Sequence, residues 1–426
     1  MNRAISPGKH DQAKTVYFAY IWHGFFLALT MSMIDLNTVF PALIAELTGS
    51  KVIFGLLYTV MLGAPLVFNL LFSHHMKSKA YKKKYLLIGI YLRSMAFLGM
   101  ALSIRFYGAA NPGLAVSSLF LWVFFFSVSA GFAGIAYSDV LGKVIAGRQR
   151  VKLFAVKQFF ASIASLAGGF LVSGLFAQNT LRFPDNYALT LFIGFLGLAI
   201  ASLGFFLIRE PAAQRLPETG QNLWAYIREV PNILRRDVRF RRFIIVENLT
   251  SFSVMALPFY MVYAKETFAL DSSYIGKYLL VQVAGTILSN FVWGALAGRT
   301  DSRRVVRTCI HMGAAIPIAA IFLARTNADL FGLVFFMLGF IISGRKIGFE
   351  PYLLDIAPEQ MRTQYLGIRG TLNIFIVVLP LLGGLLITWL GYMPVFVLVS
   401  LAMLLSGWMS GRKDPVSDES PSSAAD

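Results

Sequence analysis

The sequence predicts an all-α membrane protein whose twelve transmembrane helices form two repeated six-helix bundles. Three observations carry that reading. Of the 426 residues, 57% are hydrophobic and 14% charged, far from the balance of a soluble domain. The apolar residues gather into runs of about 20, the length that spans roughly 30 Å of hydrocarbon at 1.5 Å per residue. Short patterns in the first half also return, weakened, in the second.

Taken in order, hydropathy windows place helices at about 17–40, 52–73, 85–106, 114–138, 152–176 and 187–207, then at about 241–264, 274–297, 305–324, 330–354, 366–388 and 392–410. Basic residues orient them. Lys51, Arg105, Arg182, Lys265, Lys277 and Arg325 lie in loops on one side, while Arg93, Lys157, Arg345, Lys346 and Arg369 fall within helices. The rest share the side that holds the N-terminus, which predicts cytoplasmic termini and a cytoplasmic linker. Topology therefore accounts for the net charge of +17, and nucleic-acid binding is not expected.

This gives a cytoplasmic tail over 1–16, an N-terminal bundle over 17–207, a linker over 208–240, a C-terminal bundle over 241–411 and a disordered tail over 412–426. Within the linker, Leu223, Trp224, Ile227 and Leu234 can form an apolar stripe opposite Arg228, Arg235 and Arg236. Such a helix would lie along the inner leaflet, although a plain tether fits equally and Pro231 should kink or break it.

The repeat is clearest at an elbow between two apolar segments, Asn290 to Arg304. Gly55 answers Gly276, Asn69 answers Asn290, and Lys82-Lys83 answers Arg303-Arg304. A second pair of segments, Arg150 to Lys157 and Arg362 to Arg369, shares its terminal basic residues and opens an apolar helix in each half. Downstream, Gly168-Gly169 corresponds to Gly383-Gly384, where small residues let helices approach closely. Asp139 and Asp355 end the preceding helices, within reach of those basic residues.

The elbow residues Gly294, Leu296, Ala297, Arg299 and Arg303, with the twelve-helix topology, resemble the major facilitator superfamily over essentially the whole chain up to about residue 411. The superfamily's usual loop reads Gly-x-Leu-Ala-Asp-Arg-x-Gly-Arg-Arg; here Gly298 replaces the Asp and Asp301 the Gly. In the first half only the basic character remains, at Lys77 and Lys82 to Lys84. The resemblance implies a transporter whose bundles rock about a central cavity. It also implies that Arg299, Arg303 and Arg304 meet acidic groups of the other bundle when the cytoplasmic side closes. Contact with anionic lipid headgroups is an equal reading of these arginines.

Ionisable groups at bilayer depth cost roughly 2.5–3.5 kcal/mol on insertion scales, so each marks a site to weigh. Arg93 lies about 13 Å inward from Lys84 and should meet an acid or a polar cavity; the resemblance implies a third helix that buttresses the bundle, which favours a structural ion pair over substrate contact. In Gly344-Arg345-Lys346-Ile347-Gly348-Phe349-Glu350-Pro351, Lys346 and Glu350 share a face and can pair, leaving Arg345 the less compensated cation. Two glycines and a proline suggest local unwinding there. Glu247 can pair with a basic neighbour or carry a proton. Asp35 resembles the first-helix acid of proton-coupled drug exporters, but it falls near the helix end, where a wet aspartate is an equal reading. Asn69, Gln158, Gln282, Asn290 and Asn373 are polar residues within apolar spans, each also able to form an interhelical hydrogen bond.

A lone cysteine, Cys309, and five scattered histidines offer no metal-ligand spacing, and no phosphate-binding Gly-x-x-x-x-Gly-Lys-Ser loop occurs. The expectation is therefore a non-enzymatic, cofactor-free secondary transporter of a small solute, ion-coupled, with a proton the expected ion and export favoured over uptake. It would work as a monomer among membrane lipids, in a bacterial cytoplasmic membrane. A lysolipid flippase and a transport-inactive scaffold or sensor are the alternatives.

Overall fold

The computed structural model describes residues 7–77, 79–145, 147–178, 180–212, 223–358 and 361–412. The first half comprises α1 (Pro7–Ser32), α2 (Val39–Leu47), α3 (Lys51–Lys77), α4 (Lys83–Tyr107), α5 (Pro112–Val144), α6 (Gly147–Ala177) and α7 (Asp185–Phe206). The connecting helix is α8 (Leu223–Arg236). The second half comprises α9 (Val238–Thr250), α10 (Ser253–Ala256), α11 (Phe259–Phe268), α12 (Ser273–Arg299), α13 (Ser302–Leu323), α14 (Ala328–Ile356), α15 (Arg362–Leu372), the 3-10 segment Asn373–Val378, α16 (Leu379–Leu390) and α17 (Tyr392–Gly411). Among the described residues there is no strand.

Eleven stretches are long and apolar enough to cross a membrane. The remaining predicted span is α1 with α2. Its helix does not run unbroken to residue 40 as the hydropathy suggested: it stops at Ser32 and resumes at Val39 to end at Leu47. Asp35 explains the break, because its carboxylate accepts the backbone N–H groups of Asn37 and Thr38, each at 3.0 Å, in place of helical bonds. A few helix starts elsewhere carry ordinary side-chain caps. Asn111, Asp301 and Asn327 each accept the N–H of the residue three further on, at 3.1, 3.0 and 2.9 Å.

Two further spans are interrupted. The seventh is divided into α9, α10 and α11, and the eleventh passes through the 3-10 segment between α15 and α16. The tenth, where unwinding was expected, is a continuous helix. Its glycines serve packing instead: a Cβ on Gly344 would sit 2.7 Å from the Trp293 ring, and one on Gly348 3.2 Å from Val306. In the linker, α8 continues through Pro231. Val230 and Ile233 bury against Phe240 and Phe243 of α9, while Arg228, Arg235 and Arg236 remain exposed. Asp237 then caps α9 and accepts the Tyr365 hydroxyl at 2.7 Å. Burial and that carboxylate hold the Tyr365 phenol above its usual range.

The halves meet through two equivalent helix pairs, α3 on α16 and α6 on α12. Repeat-related glycines make both contacts. A Cβ on Gly55 would overlap the Pro380 carbonyl and one on Gly384 the Lys51 carbonyl. A Cβ on Gly276 would overlap the Ser173 backbone, and one on Gly169 would lie 2.8 Å from Leu280. All four positions lie toward the loops opposite the termini, here called the distal side; the side of the described chain ends is the terminal side.

Candidate functional site

The distal side is closed. Lys51 pairs with Glu266 at 3.4 Å, and Lys265 pairs with Glu46, so each half supplies one cation and one anion. These residues line a surface vestibule of about 400 Å³. Deeper in, the Asp35 carboxylate accepts the Thr38 hydroxyl at 2.9 Å and, across the seam, the Gln282 side-chain amide at 2.9 Å. Asp35 is thus held by four donors at the break in the first span. It is not a wet helix-end residue, because the span continues beyond it.

Toward the terminal side a cleft of about 430 Å³ lies between Leu62, Pro65 and Leu66 of α3 and Leu366 and Arg369 of α15. Three polar contacts join the halves at the distal side: Asp35 to Gln282, Glu46 to Lys265 and Lys51 to Glu266.

Arg345 and Arg93 place one half-buried guanidinium in each half. Arg345 stands eleven residues from the end of α14, about 16 Å in, and Arg93 ten from the start of α4, about 15 Å in. Arg345 reaches the break between α9 and α10, donating to the Thr250 carbonyl and to the Ser251 and Ser253 hydroxyls, all at 3.4 Å. Arg93 packs over the Phe126 ring at 4.2 Å and against the Met31 sulfur at 3.8 Å. Among the described residues Arg93 has no carboxylate partner, and a cation–π contact is its main one. Nearer the terminal side, Lys157 donates to the Tyr137 hydroxyl at 3.0 Å and its stem lies against Gly24. None of these three cations lies within ion-pair distance of a carboxylate among the described residues.

Glu247, in contrast, is paired. Its carboxylate is 4% exposed and takes the Arg369 guanidinium, with the Arg369 Nε 2.9 Å from both oxygens. The pairing expected between Lys346 and Glu350 does not form among the described residues, since both side chains point outward and are exposed. Asn290 accepts the Ser343 hydroxyl, joining α12 to α14. The side chains of Asn69, Arg150 and Arg362 lie outside the described residues.

Each elbow is tied to its own half. In the second, Arg303 donates to the Ser410 carbonyl at 2.9 Å and to that of Arg412, Asp355 accepts the Ser302 hydroxyl, and Arg304 lies 3.8 Å from Asp301. Arg299 is exposed, and Gly294 has open space around it. Arg299 and Arg304 show no ion pair to the other half among the described residues. In the first, Asp139 takes Lys82 at 2.7 Å and Lys143 at 2.8 Å; the side chain of Arg150, foreseen as a partner, lies outside the described residues.

The organising residue there is Glu210, which sequence reasoning passed over. Its side chain is 3% exposed and accepts the N–H groups of Lys82 and Lys83 at 2.8 and 2.7 Å and the Lys143 ammonium at 2.7 Å. The one available signal was its place just after the sixth span, in Arg209-Glu210-Pro211. Glu210→Ala strips three donors of their acceptor, so thermal unfolding should show a loss of about 2–4 kcal/mol. An unchanged melting temperature would remove Glu210 from this role.

A family model described as Major Facilitator Superfamily matches residues 21–344 and 243–426. No curated protein sequence matches the chain. Among solved structures, a point mutant of the nucleoside transporter NupG has a TM-score of 0.72 at 13% identity, over 93% of this chain and 98% of its own. A POT family transporter in complex with a thioalcohol-conjugated peptide gives 0.66 at 11% identity, over 93% and 94%. A D-xylose-proton symporter gives 0.63 at 12% identity, over 95% and 97%. At such identities the structures speak for the fold, and the family match speaks for the lineage: the chain belongs to the major facilitator superfamily.

Proposed function

We propose that this major facilitator transporter carries a small organic anion by alternating access, with Asp35 carrying the coupling proton. The observation behind the reading is the set of intramembrane cations, Arg93, Arg345 and Lys157, without a carboxylate partner among the described residues. A guanidinium withdrawn from water and left with neutral partners favours an anion that enters its cavity. The positive-inside bias makes the terminal side cytoplasmic, so the arrangement described is inward-facing. Asp35 lies at the opposite end of the path, bonded to the other half through Gln282. Opening the distal side removes that donor and leaves the carboxylate facing the outside, where it would take up the coupling proton.

The test is a thermal-stability screen of the purified full chain against small organic anions, cations and neutral solutes. A ligand at 100 times its dissociation constant stabilises by about 2.7 kcal/mol. Anions should stabilise and Arg345→Ala should weaken them at least roughly tenfold. Asp35→Asn should retain binding in the screen while proton-driven accumulation in proteoliposomes disappears. Stabilisation by cations or neutral solutes alone, indifferent to Arg345→Ala, would overturn the reading.

A further inference from the structure

We infer that the transported anion is a monocarboxylate bearing one ring-sized apolar group, which enters a cavity inside the second half beside Arg345. The inference rests on the anion reading above and adds the class of substrate. The cavity, about 180 Å³, lies among α10, α11, α13, α14 and α17. Its rim is partly exposed at Ser253, Val254, Leu257 and Ile342, while Tyr260, Ile316 and Met403 are buried deeper in it. Apart from Arg345 and the hydroxyls of Ser253 and Tyr260, its wall is apolar.

Size, polarity and charge each restrict what fits. An apolar cavity of roughly 150 Å³ accepts a benzene-sized guest, so this one takes a phenyl ring or a branched alkyl group of similar bulk. The only charge on its wall is Arg345, which sits at one end of the apolar space. A single guanidinium compensates one negative charge, and a second anionic group would remain unpaired in a medium of low dielectric constant.

The geometry around Arg345 suits a carboxylate. Its contacts to Thr250, Ser251 and Ser253 are all 3.4 Å, longer than the 2.7–3.2 Å of a good N–H···O bond by about 0.2 Å or more. These neutral groups hold the guanidinium loosely. A planar carboxylate can take its fork at the shorter distance of a charge-assisted pair, with the Ser253 hydroxyl turned to donate to the same oxygens. Because the three neutral partners belong to the break in the seventh span, binding there also draws α10 toward the ligand.

The cavity can be resized without touching Arg345. Gly313 borders it, and a Cβ there would meet the flexible end of Met403 at 2.6 Å, a contact that side chain can relieve. Gly313→Val therefore fills the space, and Met403→Ala enlarges it. Calorimetry on the purified full chain would compare acetate, phenylacetate, 2-naphthylacetate, phenylmalonate and phenethylamine. In the native chain phenylacetate should bind about tenfold or more tighter than acetate, with phenylmalonate and phenethylamine weaker than phenylacetate. Gly313→Val should abolish the advantage of phenylacetate and leave acetate unchanged. Met403→Ala should move the preference to 2-naphthylacetate. If the carboxylates bind alike and neither variant changes their order, while Arg345→Ala still removes them all, the apolar cavity is not part of the site and only this inference fails. If phenethylamine binds and the carboxylates do not, the anion reading fails with it.

Discussion

Arg369→Ala should destabilise the protein by about 3–5 kcal/mol, the loss that follows when one partner of a buried ion pair is removed and the other charge stays behind. The remaining charge is Glu247, whose side chain is 4% exposed and whose oxygens receive the Arg369 Nε at 2.9 Å. The pair ties α9 to α15, and so fixes the seventh span against the eleventh within one half. Replacing both residues, Glu247→Gln with Arg369→Gln, keeps the space filled and removes both charges. That double variant should recover most of the lost stability in thermal unfolding, because the penalty lies in the unpaired charge more than in the missing attraction. An Arg369→Ala variant no less stable than the double replacement would show that water reaches Glu247 and that the pair is peripheral.

The second large effect is conformational. Gly276→Leu combined with Gly384→Leu should drive the protein out of the distal-closed state. Each added side chain meets backbone of the opposite half, Ser173 in one case and Lys51 in the other, which no change of rotamer can relieve. Overpacking of this kind costs about 1–3 kcal/mol per site, occasionally more, and the two contacts lie on different helix pairs, so their effects should nearly add. Together they approach the ~5.5 kcal/mol that turns a 99:1 preference around. In a Cys309→Ala background, Glu46→Cys and Lys265→Cys should crosslink readily with native glycines and poorly with both leucines present. Unimpaired crosslinking in the leucine variant would mean that the seam does not open, and alternating access would lose its structural basis.

The architecture was legible because bilayer thickness writes itself into sequence as apolar length. What hydropathy misses is discontinuity. The break at Asp35 depends on a carboxylate turning back on its own backbone, which leaves the mean apolarity of the segment almost untouched. The tenth span shows the converse: Gly344, Gly348 and Pro351 look like breakers in sequence, yet the two glycines are filled by Trp293, Val305 and Val306. For the site, the intramembrane cations could be named from sequence, but not their partners. Lys346 and Glu350 satisfy the spacing for a pair and both point outward, whereas Glu247 finds Arg369, far along the chain. Glu210 escaped notice because a carboxylate just past a span reads as ordinary loop until its donors are seen.

The distal seam also bears on how the membrane potential acts. Moving one elementary charge through the full potential is worth about 2.3 kcal/mol per 100 mV. Lys51 and Glu46 travel with one half, Lys265 and Glu266 with the other, so each side of the seam is electrically neutral in these groups. Their separation shifts no net charge across the field. The gate is therefore voltage-blind in its own residues, and in the proposed cycle the electrical character is left to the cargo and to the proton on Asp35. A monocarboxylate accompanied by one proton would cross as a neutral pair, its flux following the pH gradient and indifferent to the potential.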